Sequence, residues 1–461
     1  TRTSYSSLPD LTYTYDGLQR QSTSENTVRT RTDTYQSGTN LVTKVSYTAG
    51  TGGTSFQPFE LQYTYDEYGN IETVTAGSVF YNQEYTYDAQ GQLLTAKING
   101  VDYLYTYDTA GNLLTATNQT GTHSYVYGDT NGWVDLLTSF DNHTISYDGN
   151  GNPTSYYNGT SWTFGWQNGR ELTSASKSGT SISYTYDGDG IRTSKTVDGI
   201  TYNYIYASGK LMRQTWTESG TAHVMDFFYD EKGAPYALKY DGRTYFYLLN
   251  LQGDVISLVD AEGFSVAEYH YNAWGLPMGT TGAMAEINPL RYRGYYYDTD
   301  SGWYYLKSRY YSPTVARFVN ADSLLTNLNG EPSTNLFIYC GNNPINATDP
   351  SGYLWKRISD WIRDACKKVE EYLTDSNIYG AIVGGEALIT ADHGNCELML
   401  DVKTGEPITS HSTFDVPLIV VSNRVKTIQS GRLCDLTPTL LTMMGEQIPE
   451  EMTGVSLVEL N

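Results

Sequence analysis

Along most of the chain aromatic and polar positions alternate singly, and the alternation recurs in short runs that close on an aspartate. Tyr13-Thr14-Tyr15-Asp16, Tyr63-Thr64-Tyr65-Asp66, Tyr85-Thr86-Tyr87-Asp88, Tyr105-Thr106-Tyr107-Asp108 and Tyr184-Thr185-Tyr186-Asp187 are the clearest copies, and Tyr147-Asp148 continues them. From Asp66 the series steps by about twenty residues through Asp88, Asp108, Gly128, Asp148, Gln167, Asp187 and Ala207. In Tyr-Thr-Tyr both rings fall on one face of a strand and the threonine on the other, because strand side chains alternate. Aspartate then opens a turn, and the glycine of Glu67-Tyr68-Gly69-Asn70 or Thr109-Ala110-Gly111-Asn112 takes positive φ at little steric cost. An apolar return strand comes next, as at Leu113-Leu114. Each unit reads as a hairpin that cannot bury its apolar face alone and must stack on its neighbours. The predicted class is mainly β. A propeller needs blades of about 40 residues and fits this step less well.

Tyr-x-Tyr-Asp-x-x-Gly-Asn/Gln-Leu at this period resembles the YD repeat of Rhs proteins and of the related toxin-complex and teneurin proteins. The resemblance implies a YD-repeat β-hairpin spiral over residues 1–286 that forms part of a hollow shell. The repeat then gives way to Asn288-Pro289-Leu290-Arg291-Tyr292-Arg293-Gly294, Arg309-Tyr310-Tyr311-Ser312-Pro313 and Arg317-Phe318-Val319-Asn320-Ala321-Asp322, and ends on Asn342-Asn343-Pro344 through Asp349-Pro350-Ser351-Gly352-Tyr353. Residues 287–353 resemble the Rhs core-associated segment, which plugs the shell and ends at a Pro-x-x-x-x-Asp-Pro-x-Gly-Leu junction; Tyr353 stands where that pattern has leucine. In several family members this junction cuts itself, which implies Asp322 and Asp349 as an aspartic-protease-like pair and Arg317 as an orienting cation. Two carboxylates sharing one proton can activate water and protonate a leaving group. Asp349-Pro350-Ser351-Gly352 reads equally well as a structural turn.

Composition narrows the partners. The 461 residues include 43 tyrosines, and the net charge of −22 (29 basic minus 51 acidic) repels phosphate backbones, which argues against nucleic acid or an anionic membrane surface. Aromatic rows on strand faces are expected to be packing ladders in preference to carbohydrate platforms. Asp148-Gly149-Asn150-Gly151-Asn152 and Asp187-Gly188-Asp189-Gly190 lack the closing glutamate of a calcium loop and are read as turns. No apolar run spans a bilayer; Val416–Val421 is far too short. Cys340, Cys366, Cys396 and Cys434 form no CxxC pair and are expected to be free thiols. The chain opens at Thr1 without a methionine, which leaves an upstream targeting segment open.

Beyond Tyr353 the style changes. Leu354, Ile358, Trp361, Ile362, Ala365, Val369 and Leu373 fall at helical spacing, predicting an amphipathic helical connector over 354–376 that packs on a neighbour. Residues 377–461 carry an α/β pattern. Ala387-Leu388-Ile389-Thr390-Ala391 reads as a buried strand delivering Asp392-His393-Gly394-Asn395, Val416–Val421 as a second strand, and Asp435 as the cap of a helix through Met444. The runs Leu388 to Asn395, Thr404-Gly405-Glu406-Pro407, Thr409-Ser410-His411-Ser412-Thr413, Gly431 to Asp435 and Glu451-Met452-Thr453-Gly454 resemble the end of 2,3-bisphosphoglycerate-independent phosphoglycerate mutase, an alkaline-phosphatase-superfamily enzyme with two manganese ions. The resemblance implies an incomplete alkaline-phosphatase-like segment in which Asp392 and His393 bind one metal and His411 the other. Carboxylate and imidazole suit manganese or zinc.

The enzyme's serine nucleophile and remaining ligands would lie where this chain has YD repeats, so no mutase activity is expected from it alone. Two readings stand beside each other. One is a shell carrier of the polymorphic-toxin type, with its own carboxy-terminal cargo and upstream shell segments as partners, secreted or at the cell surface. The other is a cytoplasmic mutase in origin, its end joined to a repeat protein by recombination, truncation or an assembly error. A third makes the tail a cargo with phosphatase-like chemistry.

Overall fold

The computed structural model describes residues 2–3, 5, 8–77, 82–130, 133–322, 335–353, 356–357, 378–383, 386–391, 419–421, 425–430, 435–444 and 453–460. Contacts divide the chain into two units, Thr1–Ser359 and Asp360–Asn461.

In the first unit each strand pairs antiparallel with the next in sequence, giving one 14-stranded sheet from Arg2–Thr3 to His143–Thr144 and a second from Ser146–Tyr147 to Pro277–Thr281. The hairpin of strands Val101–Tyr107 and Leu113–Asn118 shows what each repeat residue does. Tyr105 is buried in the core. On the opposite face the Thr106 hydroxyl meets that of Thr115 at 2.7 Å. Tyr107 donates its phenol to the Leu93 carbonyl of the preceding hairpin at 2.7 Å. Asp108 closes the turn: its Oδ1 accepts the amides of Ala110 (2.9 Å) and Asn112 (2.8 Å), and its Oδ2 accepts Asn112 Nδ2 at 2.9 Å. Gly111 has φ +75° and the register slips between Thr106 and Tyr107, the signature of a turn closed by a glycine bulge. The same phenol bond recurs from Tyr87 to Ile71 (2.6 Å), Tyr127 to Leu113 (2.9 Å) and Tyr186 to Leu172 (2.9 Å). The tyrosine rows are therefore packing ladders with a polar lock to the previous hairpin.

The sheet also returns on itself. Tyr5 donates to the Tyr229 carbonyl at 2.9 Å, Tyr236 to that of Pro9 at 2.7 Å and Tyr47 to that of Leu249 at 3.0 Å, while the Leu251 amide donates to the Tyr63 phenol at 3.1 Å. Hairpins about two hundred residues apart thus stack as successive turns of a spiral, joined by phenols that find backbone partners.

Residues 287–353 pack onto the second sheet through a small antiparallel sheet of Tyr296–Asp298, Trp303–Tyr305, Tyr310–Ser312 and Arg317–Phe318. Trp303, Tyr304, Tyr311 and Tyr339 are fully buried. Asp298 pairs with Arg192 at 2.6 Å and Lys195 at 2.8 Å, and the Arg192 guanidinium lies within 6 Å, at 4.4 to 5.9 Å, of the ring centroids of Tyr184, Tyr204, Tyr296, Tyr305 and Tyr310. Residues 335–346 then cross the hairpin turns. Asn335 Nδ2 reaches Asn112 Oδ1 at 2.6 Å, Asn342 Nδ2 reaches Gln92 Oε1 and the Gly111 carbonyl, both at 2.7 Å, and Asn346 Oδ1 accepts the Ile71 amide at 2.8 Å. Cys340 is a buried free thiol whose pKa burial pushes well up; Cys366, Cys396 and Cys434 lie outside the described residues.

Where the helical connector is expected, Lys356–Arg357 pairs antiparallel with Ala347–Thr348 instead, because a short strand edge from the closing segment is available to it; residues 358–376 lie outside the described residues. In the second unit Glu386–Ala391 is the middle strand of an antiparallel sheet with Ile378–Val383 and Ile419–Val421, and Val425–Ile428 pairs with Val458–Leu460. The helix expected after Asp435 spans Leu436–Met444, and the Asp435 carboxylate accepts the Val455 amide at 2.9 Å, tying the helix start to the final strand.

Candidate active site

The hairpin of Tyr310–Ser312 and Arg317–Phe318 has two ends, and they carry different arginines. At its open end Arg309 and the descending Val319 to Asp322 lie side by side, held by the Val319 amide on the Tyr310 carbonyl at 2.8 Å and the Asp322 amide on that of Leu336 at 3.0 Å. Arg309 Nη2 lies 2.8 Å from Asp322 Oδ2 and 3.3 Å from Asp349 Oδ2. Its Nη1 donates to the Leu336 carbonyl at 3.0 Å, its Nε donates to the Gly352 carbonyl, and its guanidinium lies 3.5 Å from the centroid of the Phe318 ring. One cation thus holds both aspartates and the backbone beside the expected scissile bond.

The junction is seated by local chemistry. The Asp349 amide donates to the Tyr295 phenol at 2.7 Å, and Asp349 Oδ1 accepts the Gly352 amide at 2.8 Å. Ser308 donates both its amide (3.2 Å) and its hydroxyl (2.8 Å) to the Ser351 carbonyl. Gly352 has φ +76°, and a Cβ there would stand 2.5 Å from Ser308 Oγ and 2.8 Å from the Leu306 carbonyl, so a side chain has no room. The turn expected from Asp349-Pro350-Ser351-Gly352 is present, and it is the turn that carries Asp349 onto Arg309.

Asp349 is 1 % and Asp322 7 % exposed. Burial raises the Asp349 carboxyl above its ordinary pKa, against the pull of Arg309 and two backbone amides and with a small push from Asp322. Burial likewise lowers Arg309, outweighing both aspartates. A carboxyl with a raised pKa thus stands beside a second carboxylate on a shared cation, the kind of pairing that acid–base chemistry uses.

Arg317 is at the other end of the hairpin. Its guanidinium donates to Tyr127 Oη (3.0 Å), the Asp135 carbonyl (3.2 Å), Asn335 Oδ1 (3.2 Å) and Asn112 Oδ1 (3.4 Å). These bonds clamp Arg317 and Asn335 to the hairpins, and the cation that pairs with Asp322 and Asp349 is Arg309. Both arginines flank the same aromatic strand pair in sequence, and only the strand order tells them apart.

Asp392, His393 and His411 lie outside the described residues, although Asp392 directly follows the middle strand Glu386–Ala391. Among the described residues no group of three or more His, Cys, Asp or Glu side chains could hold a metal ion. One carboxylate and two imidazoles have donor chemistry that fits manganese. No helix among the described residues is long and apolar enough to cross a membrane.

Comparison with known proteins divides the chain in the same manner. A family profile described as "Teneurin YD-shell" matches residues 2–345, and one described as "Metalloenzyme superfamily" matches residues 362–447. The tRNA3(Ser)-specific nuclease WapA of Bacillus spizizenii is 30% identical over 298 residues, 64% of this chain and 11% of that protein. The 2,3-bisphosphoglycerate-independent phosphoglycerate mutase of Chromohalobacter salexigens is 52% identical over 101 residues, 21% of this chain and 19% of the mutase. The Photorhabdus luminescens Tc holotoxin pore superposes with a TM-score of 0.63 at 19% identity, covering 74% of this chain and 19% of that one. This chain therefore spans between a tenth and a fifth of the length of these relatives. With repeat, spiral, closing segment and a profile over three quarters of its length in agreement, the chain belongs to the teneurin YD-shell family.

Proposed function

We propose that this chain is a YD-shell carrier, its repeats (1–286) forming part of a hollow shell and its core-associated segment (287–353) closing it, and that it hydrolyses its own Tyr353–Leu354 bond to free the carboxy-terminal residues. The observation that carries the cleavage reading is Arg309, whose guanidinium holds Asp322, Asp349 and the Gly352 carbonyl together. In the proposed step the ionised carboxylate takes a proton from water, whose oxygen bonds to the Tyr353 carbonyl carbon. The C–N bond to Leu354 breaks, and the proton of the other carboxyl passes to the leaving amine. Asp349, raised by burial, is the donor, Asp322 the base and Arg309 the group that orients them. Arg317 holds the fold. Wild-type chain should split near residue 353 on a denaturing gel, and Asp349→Asn or Asp322→Asn should slow the split by about two orders of magnitude, the scale of lost general acid–base catalysis. Asp349→Asn chain that splits at the wild-type rate would refute this assignment.

The connector (354–376) and tail (377–461) are the cargo side. We read the tail as the truncated end of a phosphoglycerate-mutase-like metalloenzyme, supported by its identity to the mutases and by the superfamily profile. Asp392, His393 and His411 would hold manganese, which when bound polarises phosphoryl oxygens. Without a serine nucleophile the tail transfers no phosphoryl group. Turnover of 3-phosphoglycerate to 2-phosphoglycerate by the purified chain with manganese would favour the mutase reading instead. A shell of this kind operates outside the cell or at its surface, whereas a mutase belongs in the cytoplasm. The relatives' tRNA nuclease names concern those proteins; the charge of −22 opposes nucleic acid as a partner here.

A further inference from the structure

Beside the junction lies a cavity of about 310 Å³ whose lining includes Arg170, Lys307, Arg309, Tyr186, Ser351 and Tyr353. Two of its cations have no carboxylate partner among the described residues. Arg170 is half-buried and donates to the Ala321 carbonyl, a neutral acceptor one residue before Asp322. Lys307 is half-buried at φ +67° in the loop that Ser351 and Gly352 press against, and no carboxylate pairs with it; Asp349 acts on it only through its field. Burial lowers the pKa of both, against the fields of Asp322 and Asp148 on Arg170 and of Asp349 on Lys307. The two acids of the rim are otherwise engaged or in water: Glu171 accepts from Asn168 Nδ2 at 3.0 Å, and Asp189 is exposed. Tyr186, Tyr305, Tyr310 and Ile191 supply the apolar part of the wall, and Asn168 and Ser308 add polar groups.

Arg170 and Lys307 thus line one cavity with Tyr353, and no carboxylate among the described residues is in direct contact with either cation. Before cleavage the Tyr353 carbonyl is a neutral amide and offers these cations no carboxylate. Hydrolysis would create one at that residue. We propose that Arg170 and Lys307 form a subsite for the carboxylate that cleavage leaves on Tyr353, so that the new chain end is drawn into the cavity and held there. Arg170 is suited to a two-pronged bond to a carboxylate and Lys307 to a point-charge contact. Holding the end keeps residues 349–353 seated against the 306–309 loop, where Ser308 and Arg309 already bind the Ser351 and Gly352 carbonyls. The inference rests on the proposed self-cleavage and extends it to the product.

The test is trimming of the new end by a carboxypeptidase, with intact mass as the readout, on full-length chain allowed to cut itself. The wild-type fragment ending at Tyr353 should resist, and the Arg170→Gln, Lys307→Gln double variant should cut itself but lose Tyr353 about tenfold faster, the factor expected when about one charge-assisted contact is lost. Arg170→Lys with Lys307 intact should restore part of the protection, separating charge from fold damage. Equal trimming of wild type and double variant overturns the subsite while leaving self-cleavage standing. A chain that stays at full mass overturns the cleavage reading, and the subsite with it.

Discussion

A carboxylate sealed from water against two cations, as Asp298 is, marks where single residues decide the stability of this chain. Burial alone would raise Asp298, but Arg192 and Lys195 outweigh it and hold the carboxyl below its ordinary value. These ion pairs join residues 287–353 to the hairpins, since Arg192 and Lys195 lie on strand Arg192–Val197 and Asp298 ends strand Tyr296–Asp298. Asp298→Asn leaves Arg192, with no exposed surface of its own, without its counter-charge and should cost about 3–5 kcal/mol by denaturant unfolding. A depressed folded-state carboxyl contributes stability above the ordinary aspartate pKa, and that contribution is lost as pH falls through the lower folded value. Asp349 is raised, so its contribution is present at low pH and lost as pH rises through its folded value. If it is the proton donor, cleavage should decline over that same rise, above the ordinary aspartate range, in a pH–rate profile.

At the scale of the hairpin, the repeat is read almost completely from local rules. Alternation puts Tyr105 inside and Thr106 outside, and Asp108 with Gly111 closes the turn, because strand period and turn chemistry depend on neighbours in sequence. Tyr107→Phe deletes the bond to the Leu93 carbonyl and should destabilise the chain by about 1 kcal/mol in thermal or urea unfolding. Gly111→Ala should cost more than about 1 kcal/mol, since the left-handed conformation is strained for any side chain and Ile338 Cδ1 would stand 3.1 Å from the new Cβ. What the repeat does not reveal is long-range: which carbonyl each phenol reaches, which turn each asparagine of 335–346 meets, and which arginine sits on the aspartates. Those depend on how the sheet coils, with partners such as Asn335 and Asn112 separated by 223 residues. The two aspartates are visible through the family pattern. Arg309 is not, because Arg317 flanks the same strands and nothing in the spacing of either favours one.

Across the whole molecule, two sequence styles correspond to two units and to two family profiles. The metal reading of the tail is checked by manganese titration of the full chain against its Asp392→Ala variant. Binding that weakens by about tenfold or more in the variant supports a surviving half-site, on the scale of losing one metal ligand. Identical titrations remove it. The central claim is that the closing segment is a hydrolytic junction as well as a plug, and the most direct measurement is the intact mass of the chain after incubation in heavy-oxygen water. The account predicts two species divided between Tyr353 and Leu354, with the heavy oxygen in the carboxylate of Tyr353 and no such division in Asp349→Asn. A single full-length mass in both proteins would contradict it.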